Sequence, residues 1–229
     1  MRSFISMVFA AIALTGCAHV QNSSVQVADR LTPSVVPVYS LTGVPNPRVR
    51  TPAHKACSGV YVAPHLFVTT VSILDLSLEG TISYDVGGIK LMNDGELSGV
   101  QDVIYSEMST GLVVIRTEEA GTPVPLSLAG VNPGDTLTVD GYAFTPDPFR
   151  GGLSSAERVT LKGDVSSQMP SGFAEAEMFN VDVTPRRGMS GSAVLDAQGR
   201  LVGIVGGNSG QRTAVISART LAAVLQTIR

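Results

Sequence analysis

Short runs of β-branched and aromatic residues, broken every few positions by turn-forming residues, constrain the fold of this chain more than any other feature. Glycine (24) and proline (13) are frequent throughout its 229 residues. Turn sequences such as 132–135 (NPGD) and 196–199 (DAQG) separate the runs. This spacing is typical of strands in antiparallel sheets that are joined by tight turns. The pattern therefore predicts an all-β fold.

Strand signals recur along most of the chain, and a helical signal ends it. We predict strands over residues 58–63, 66–70, 81–86, 111–117, 136–142, 157–165, 178–183, 193–195 and 201–205. A stretch rich in proline and glycine at 120–125 divides these strands into two groups. Ser217 is a candidate cap for a final helix, because the apolar spacing of one buried helix face follows it. The residues with this spacing are Leu221, Val224, Leu225 and Ile228.

The N-terminus has the features of a bacterial export signal. Arg2 gives a positive start, and residues 4–14 form an apolar stretch that is too short to span a bilayer. The sequence Leu-Thr-Gly-Cys at 14–17 closes this stretch and resembles the lipobox of bacterial lipoproteins. The resemblance implies that residues 1–16 are a signal peptide removed before Cys17, and that Cys17 is acylated. The alternative is an ordinary signal peptide followed by a chance cysteine.

The acylated cysteine would hold a folded domain on a membrane without a transmembrane helix, because several acyl chains give stable anchoring. We predict a polar tether at 17–31 and one folded domain at 32–229, with halves of about 32–120 and 121–229. Ala18 after the anchor is typical of outer-membrane sorting, so we expect the domain in the cell envelope, on the periplasmic face of the outer membrane. Cys57 would then be a free thiol, and we expect it to be a small buried core residue.

The charge pattern excludes one class of partner. The net charge is −3, and the sequence has no basic cluster longer than Arg186-Arg187. Nucleic-acid binding needs a basic patch or stripe, so we expect no nucleic-acid partner. We also expect no cofactor and no metal ion.

The loop at 188–192 (GMSGS) stands before a predicted hairpin. A Gly-x-Ser-Gly loop alone is a weak signal, but the whole segment 182–208 resembles the nucleophile region of trypsin-like serine proteases. The resemblance implies that Ser190 is the nucleophile, and that the backbone amides of Gly188 and Ser190 form the oxyanion hole. Such a loop needs glycine, because the amides must turn toward one point through unusual torsions.

Two further segments resemble the same family in the same order, and both depart from its catalytic residues. Residues 58–70 resemble the strand pair that precedes the catalytic histidine, and the histidine position falls on Ser72. Residues 109–115 resemble the strand led by the catalytic aspartate, and that position falls on Gly111. The resemblance implies two packed six-stranded antiparallel β-barrels with a C-terminal α-helix. It also implies a triad that keeps only its serine.

Other residues are candidates for the missing roles. His54 is the one histidine that we keep as a substitute base, although a partly exposed loop histidine is the favoured interpretation. His65 falls in a hairpin turn, which in the family points away from the cleft. Lys55 is a weaker candidate base. The upstream Asp102 and Glu107 are alternative carboxylates for the aspartate position.

The family resemblance also assigns a substrate groove. Thr184 matches the base of the primary specificity pocket, and Gly206 and Gly207 match the strand that binds peptide backbone by β-addition. Arg186 and Arg187 flank this groove and would attract an acidic or carboxylate-bearing ligand, although a solvated loop is the simpler interpretation.

Three functions remain open from the sequence. The first is a lipid-anchored, catalytically inactive trypsin-like protease homologue that binds a peptide or protein in the envelope. The second is an active serine endopeptidase that uses Ser190 with an unconventional base. The third is a structural envelope lipoprotein, for which Ser190 has no function. We favour the first, because a serine hydroxyl needs an adjacent base to act as a nucleophile at neutral pH.

Overall fold

The computed structural model describes residues 34–40, 55–76, 82–83, 88–93, 96–147, 152–166 and 173–228. The predicted signal peptide, the tether with Cys17, and His54 lie outside these residues. Helix α1 spans Ala218–Thr227, and a 3-10 turn spans Val71–Ile73. The strands are β1 (Val35–Ser40), β2 (Lys55–Ala63), β3 (Leu66–Thr70), β4 (Asp75–Leu76), β5 (Ile82–Ser83), β6 (Ile89–Asn93), β7 (Glu96–Ser98), β8 (Val100–Glu107), β9 (Leu112–Thr117), β10 (Thr136–Asp147), β11 (Gly152–Asp164), β12 (Met178–Val181), β13 (Ala193–Leu195), β14 (Leu201–Ser209) and β15 (Arg212–Ser217).

The strands form two main antiparallel sheets, which confirms the all-β prediction. The first sheet has the order β7-β6-β1-β2-β3-β9-β8, and the second has the order β11-β10-β13-β14-β15-β12. β4 and β5 pair separately as a small two-stranded sheet. Strands from the first part of the chain thus build one sheet, and strands from the second part build the other.

The two sheets confirm the predicted two-barrel fold with its C-terminal helix, and they differ from the prediction in detail. The first sheet has seven strands, because the β6–β7 hairpin adds beyond β1. Among the described residues, no strand pairing joins its edges β7 and β8, so the sheet stays open. The edges of the second sheet meet only through one isolated bridge between Val165 and Val181.

One apolar cluster joins the two sheets. It combines Val60 of β2 and Leu112 of β9 with Ile204 of β14 and Ile216 of β15, and all four are fully buried. Two further clusters fill the interior of each sheet separately. Burial of a large aliphatic side chain contributes about 1.5–3 kcal/mol. The shared cluster therefore holds β2 and β9 of the first sheet against β14 and β15 of the second.

The C-terminal helix forms as the sequence predicts. The Ser217 hydroxyl accepts a hydrogen bond from the backbone amide of Thr220 at 3.3 Å, which caps the helix. Leu221 and Val224 are buried against the shared cluster, and Leu225 packs on it from a partly buried position. Within the part of the chain that the structure describes, no helix is long and apolar enough to cross a membrane.

A buried ion pair inside the second sheet provides a test of the fold. The Asp140 side chain is fully buried, and it accepts hydrogen bonds from Arg158 at 2.9 and 3.2 Å and from Thr160 at 2.9 Å. We expect Asp140→Ala to lower the free energy of unfolding by about 3 kcal/mol, because it breaks an ion pair whose carboxylate is fully buried. Urea unfolding followed by circular dichroism measures this loss.

The matched control breaks an exposed ion pair. Arg186 and Glu157 lie 2.9 Å apart with half or more of each side chain exposed. Glu157→Ala should cost less than about 1 kcal/mol, because water and salt screen exposed pairs. Similar losses in both variants would contradict the assignment of Asp140 as a structural anchor.

Candidate active site

The loop at residues 188–192 (the nucleophile loop) packs against strand β2. Gly188 and Gly191 have φ angles of 90° and 82°, a region that favours glycine. A Cβ atom on Gly191 would lie 2.0 Å from the backbone oxygen of Ser58, so no side chain fits there. The Ser58 amide donates to the backbone oxygen of Ser190 at 2.8 Å. These contacts place Ser190 over the junction of the two sheets.

Three hydroxyl groups stand in a row at this junction. Ser190 Oγ lies 3.1 Å from Thr70 Oγ1, and Thr70 Oγ1 lies 2.7 Å from Ser72 Oγ. Thr70 ends β3, and Ser72 lies in the 3-10 turn that follows it. The structure therefore brings together Ser190 and Ser72 as predicted, with Thr70 between them. Sequence reasoning missed Thr70, although its place just before the turn was the available signal.

The hydroxyl row contains no group that titrates near neutral pH. The Ser190 hydroxyl is hydrogen-bonded to Thr70 and, at 3.5 Å, to the backbone oxygen of Gly206. Among the described residues, no imidazole or carboxylate forms a hydrogen bond with Ser190, Thr70 or Ser72. A neighbouring hydroxyl can orient Ser190, but it is a poor acceptor for the Ser190 proton at neutral pH.

An aromatic ring packs against Gly111, the position predicted for the aspartate. The Gly111 carbonyl accepts a hydrogen bond from the Val71 amide at 3.0 Å, which places Gly111 beside the turn that carries Ser72. A Cβ atom on Gly111 would lie 2.3 Å from the ring of Phe173. Asp102 and Glu107, the alternative carboxylates, are both exposed. At Gly111, the position predicted for the aspartate, the space for a side chain is therefore filled by the Phe173 ring.

This packing predicts a coupling between the two residues. We expect Gly111→Asp to lower the free energy of unfolding by about 1–3 kcal/mol, because the new side chain meets Phe173 and the φ angle of 73° is unfavourable. In Gly111→Asp/Phe173→Ala, a coupling of about 0.5–3 kcal/mol should offset part of the two losses. Urea unfolding of the single and double variants measures the coupling, and strict additivity would contradict the contact.

The backbone of the loop leaves two amides directed away from other acceptors. The Arg187 oxygen accepts from Phe144, and the Met189 oxygen accepts from Ser192, both at 3.0 Å. In a trans peptide the N–H points opposite to the C=O, so the amides of Gly188 and Ser190 point away from these partners. Neither amide has a hydrogen-bond acceptor among the described residues. Two unoccupied donors in one loop are what an oxyanion hole requires.

The predicted groove residues lie on and beside strand β14. The register between β14 and β15 shifts at Gly206, and a Cβ atom on Gly207 would meet nothing within 4 Å. β13 begins at Ala193, which lies opposite Ile204. Past Val205, therefore, no described strand flanks β14 on that side. This backbone edge is open to an added strand. Thr184 lies instead beside Gln211, in the turn between β14 and β15.

Thr184 lines an open, polar pocket. Its hydroxyl donates to the Gln211 backbone oxygen at 3.0 Å. The other lining residues include Asp182 and Arg212, which form an ion pair at 2.5 Å. The pocket therefore presents a neutralised pair and backbone oxygens rather than a single charge.

Residues 57–204 match the family description "Trypsin-like peptidase domain". The match covers more than half of the chain and includes the loop, the hydroxyl row and the first residues of β14. The chain belongs to the trypsin-like peptidase family. A search of curated protein sequences found no significant match.

Solved structures of trypsin-like proteases share the fold. The active form of the Rv3671c protease from M. tuberculosis is 16% identical with a TM-score of 0.66, and the match covers 98% of this chain and 94% of that one. Its inactive form is 15% identical with a TM-score of 0.65, and the match covers 90% of this chain and 94% of that one. The serine endoprotease from Yersinia pestis is 17% identical with a TM-score of 0.67, and the match covers 92% and 68%. At these identities the likeness concerns the fold alone.

Two other candidate bases that the structure describes are engaged elsewhere. His65 lies in the β2–β3 turn, where its Nδ1 is 3.2 Å from the Thr117 backbone oxygen. The Lys55 ammonium donates to the Leu74 backbone oxygen. Neither is hydrogen-bonded to Ser190. The structure therefore gives this member of the trypsin-like family no described base at its serine.

A buried thiol lies behind the hydroxyl row. Cys57 is 2% exposed, as predicted for a core residue, and its Sγ is 3.0 Å from Thr69 Oγ1. Burial raises the pKa of the Cys57 thiol to about 12, although hydrogen bonds with Thr69 and Ser72 act to lower it. The thiol is therefore neutral at neutral pH and is a poor nucleophile.

The raised pKa predicts a pH dependence of stability. Below about pH 8.5 the thiol is protonated in both the folded and the unfolded chain, so the folded state keeps its full stability. Above that pH the unfolded chain loses the proton first, and stability falls by up to about 1.4 kcal/mol per pH unit toward pH 12. Urea unfolding between pH 8 and 11 should show a shallower decline in Cys57→Ala than in the wild type. Equal slopes would contradict the raised pKa.

Proposed function

We propose that this protein is a lipid-anchored trypsin-like protease homologue that binds a peptide or protein in the cell envelope without hydrolysing it. The observation that carries the proposal is the hydroxyl row: Ser190 is hydrogen-bonded to Thr70, and Thr70 to Ser72, where catalysis needs a base. The ring of Phe173 over Gly111 supports the same conclusion, because it occupies the space of the orienting carboxylate.

The size of the expected defect supports an inactive site. In serine proteases, removal of the base lowers kcat by about 10⁶-fold, and the residual acceleration of about 10³–10⁴ comes from the oxyanion hole and binding. Both of those residual elements have counterparts here, in the amides of Gly188 and Ser190 and the open edge at Gly207. A site of this kind would bind its ligand far better than it would turn it over.

The proposed location follows from the sequence at the N-terminus. Acylation of Cys17 would place the domain on a tether at the periplasmic face of the outer membrane, among envelope peptides and proteins. Two alternatives remain. His54 would make the protein an active serine endopeptidase if it reached Ser190, and a purely structural lipoprotein would use neither Ser190 nor the groove.

A covalent active-site probe tests the proposal. We expect a fluorophosphonate probe to leave the full-length wild-type chain in mild detergent unlabelled at pH 7–9, because no base removes the Ser190 proton. In-gel fluorescence and intact-protein mass spectrometry measure labelling. Trypsin in the same detergent serves as the positive control, and circular dichroism confirms that the chain is folded.

Two variants make the result interpretable. Labelling of the wild type that disappears in both Ser190→Ala and His54→Ala would overturn the proposal and identify His54 as a working base. In the opposite direction, Ser72→His/Gly111→Asp/Phe173→Ala restores both catalytic groups and removes the blocking ring. Labelling of this variant alone would show that the hydroxyl row is what keeps the wild type inactive.

A further inference from the structure

We propose that this site takes the free C-terminal carboxylate of a peptide, held by the loop amides and the hydroxyl row. The inference rests on the proposed function and names the class of ligand for it. Four observations carry it: the unoccupied amides, the hydroxyl donors, the loss of the buried anion, and the direction in which a peptide would lie on β14.

The backbone amides of Gly188 and Ser190 supply two donors from one loop. Gly188 and Ser190 have no hydrogen-bond acceptor among the described residues, and the carbonyls of the preceding residues point the opposite way. The Gly188 backbone is fixed, because its φ angle is 90° and a Cβ atom would lie 2.0 Å from the Phe144 ring. Oriented amides of this kind form binding sites for anions, including the carboxylate of a chain terminus.

The hydroxyl row supplies further donors to the same place. Ser190 Oγ is 3.5 Å from the Gly206 oxygen, a long hydrogen bond that a carboxylate would replace at little cost. Ser72 can donate a hydrogen bond to Thr70, and Thr70 can donate one to Ser190. The Ser190 hydroxyl is then available to donate to the carboxylate. An ionised carboxylate accepts about four hydrogen bonds and donates none, so it suits a site made only of amide and hydroxyl donors.

The site lacks the negative charge that would repel such a ligand. A buried aspartate beside the site would oppose a second carboxylate, but Gly111 and the Phe173 ring stand in its place. On the positive side, Arg187 immediately precedes Gly188, and its exposed side chain has no ion-pair partner among the described residues. The sign of the local charge therefore favours an anion at the loop.

The topology brings the correct end of a peptide to the loop. A peptide added to the open edge of β14 in the place that β13 vacates would run antiparallel to β14, as β13 does. Such a peptide passes from Asn208 toward Gly206, so its C-terminus arrives beside Ser190. The N-terminal ammonium of a peptide would find no carboxylate among the groups that surround Ser190. The geometry thus selects the carboxyl end.

The test compares a free acid with its amide. Full-length ¹⁵N-labelled chain in detergent micelles is titrated at pH 7 with N-acetyl-alanyl-alanine and with N-acetyl-alanyl-alanine amide. The Gly188 and Ser190 amide resonances should move saturably with the acid, and the amide should bind at least about tenfold more weakly, because a charge-assisted bond is about twice as strong as a neutral one. Equal shifts with both peptides, or no shift with either, would overturn the proposal.

Matched variants assign the charge and the peptide. Arg187→Gln should weaken binding of the acid about two- to fivefold, while Arg200→Gln, which removes the same charge at the far turn of the β13–β14 hairpin, should leave it unchanged. Equal weakening by both would contradict a local charge. Sodium acetate that moves the two resonances as strongly as the dipeptide would indicate an adventitious anion site and overturn the peptide assignment.

This outcome is separate from that of the activity test. Fluorophosphonate labelling would overturn the proposal that the protein is an inactive homologue. It would not change the result of comparing the acid with the amide. A missing preference for the acid would overturn the carboxylate site and leave an unlabelled, inactive serine in place.

Discussion

The contact between the nucleophile loop and strand β2 is the constraint on which the rest of the site depends. Ser58 donates its amide to the Ser190 oxygen, and Gly191 lies against the Ser58 oxygen too closely for any side chain. Because β2 belongs to one sheet and the loop to the other, this contact sets the position of the serine relative to β3 and its 3-10 turn. The apolar cluster shared by the two sheets keeps the contact in register.

The residues at the positions predicted for the histidine and the aspartate form one consistent set. A glycine at position 111 leaves room for the Phe173 ring, and the ring then excludes the carboxylate that a histidine would need as its partner. Ser72 in turn is small enough to join Thr70 and Ser190 in a chain of hydroxyls. A buried imidazole at position 72 would be poorly oriented without a carboxylate partner. Serine at position 72 and glycine at position 111 are therefore consistent with each other. The oxyanion loop is independent of both, because its backbone is set by glycine torsions and by the buried Met189 side chain.

Met189 illustrates how the loop is held. Its side chain is fully buried in the cluster of the second sheet, and its sulfur lies 3.4 Å from the Arg186 amide, which donates to it. The loop is thus anchored by apolar burial within its own sheet. Such an anchor does not titrate, so a change in pH does not release it.

Strand and helix patterns predicted the all-β class, and strands such as Leu66–Thr70 and Ala193–Leu195 have the predicted bounds. The cap at Ser217 and the buried face of the last helix also followed from spacing alone, because both are local. The sequence did not reveal β1 or the β6–β7 hairpin, whose short runs resemble loops until they pair. It also did not predict the open edges of the first sheet, since closure depends on strands far apart in the chain.

By itself, then, the sequence determined the local features: short strands, a capped helix, a glycine loop around Ser190, and non-titrating residues at positions 72 and 111. Only the tertiary structure decided what those residues do together. It placed Thr70 between Ser190 and Ser72, laid Phe173 over Gly111, and left the Gly188 and Ser190 amides without acceptors. The Ser190–Thr70 and Gly111–Phe173 contacts join residues that lie far apart in the chain. Their geometry follows from how two sheets pack, which no local pattern encodes.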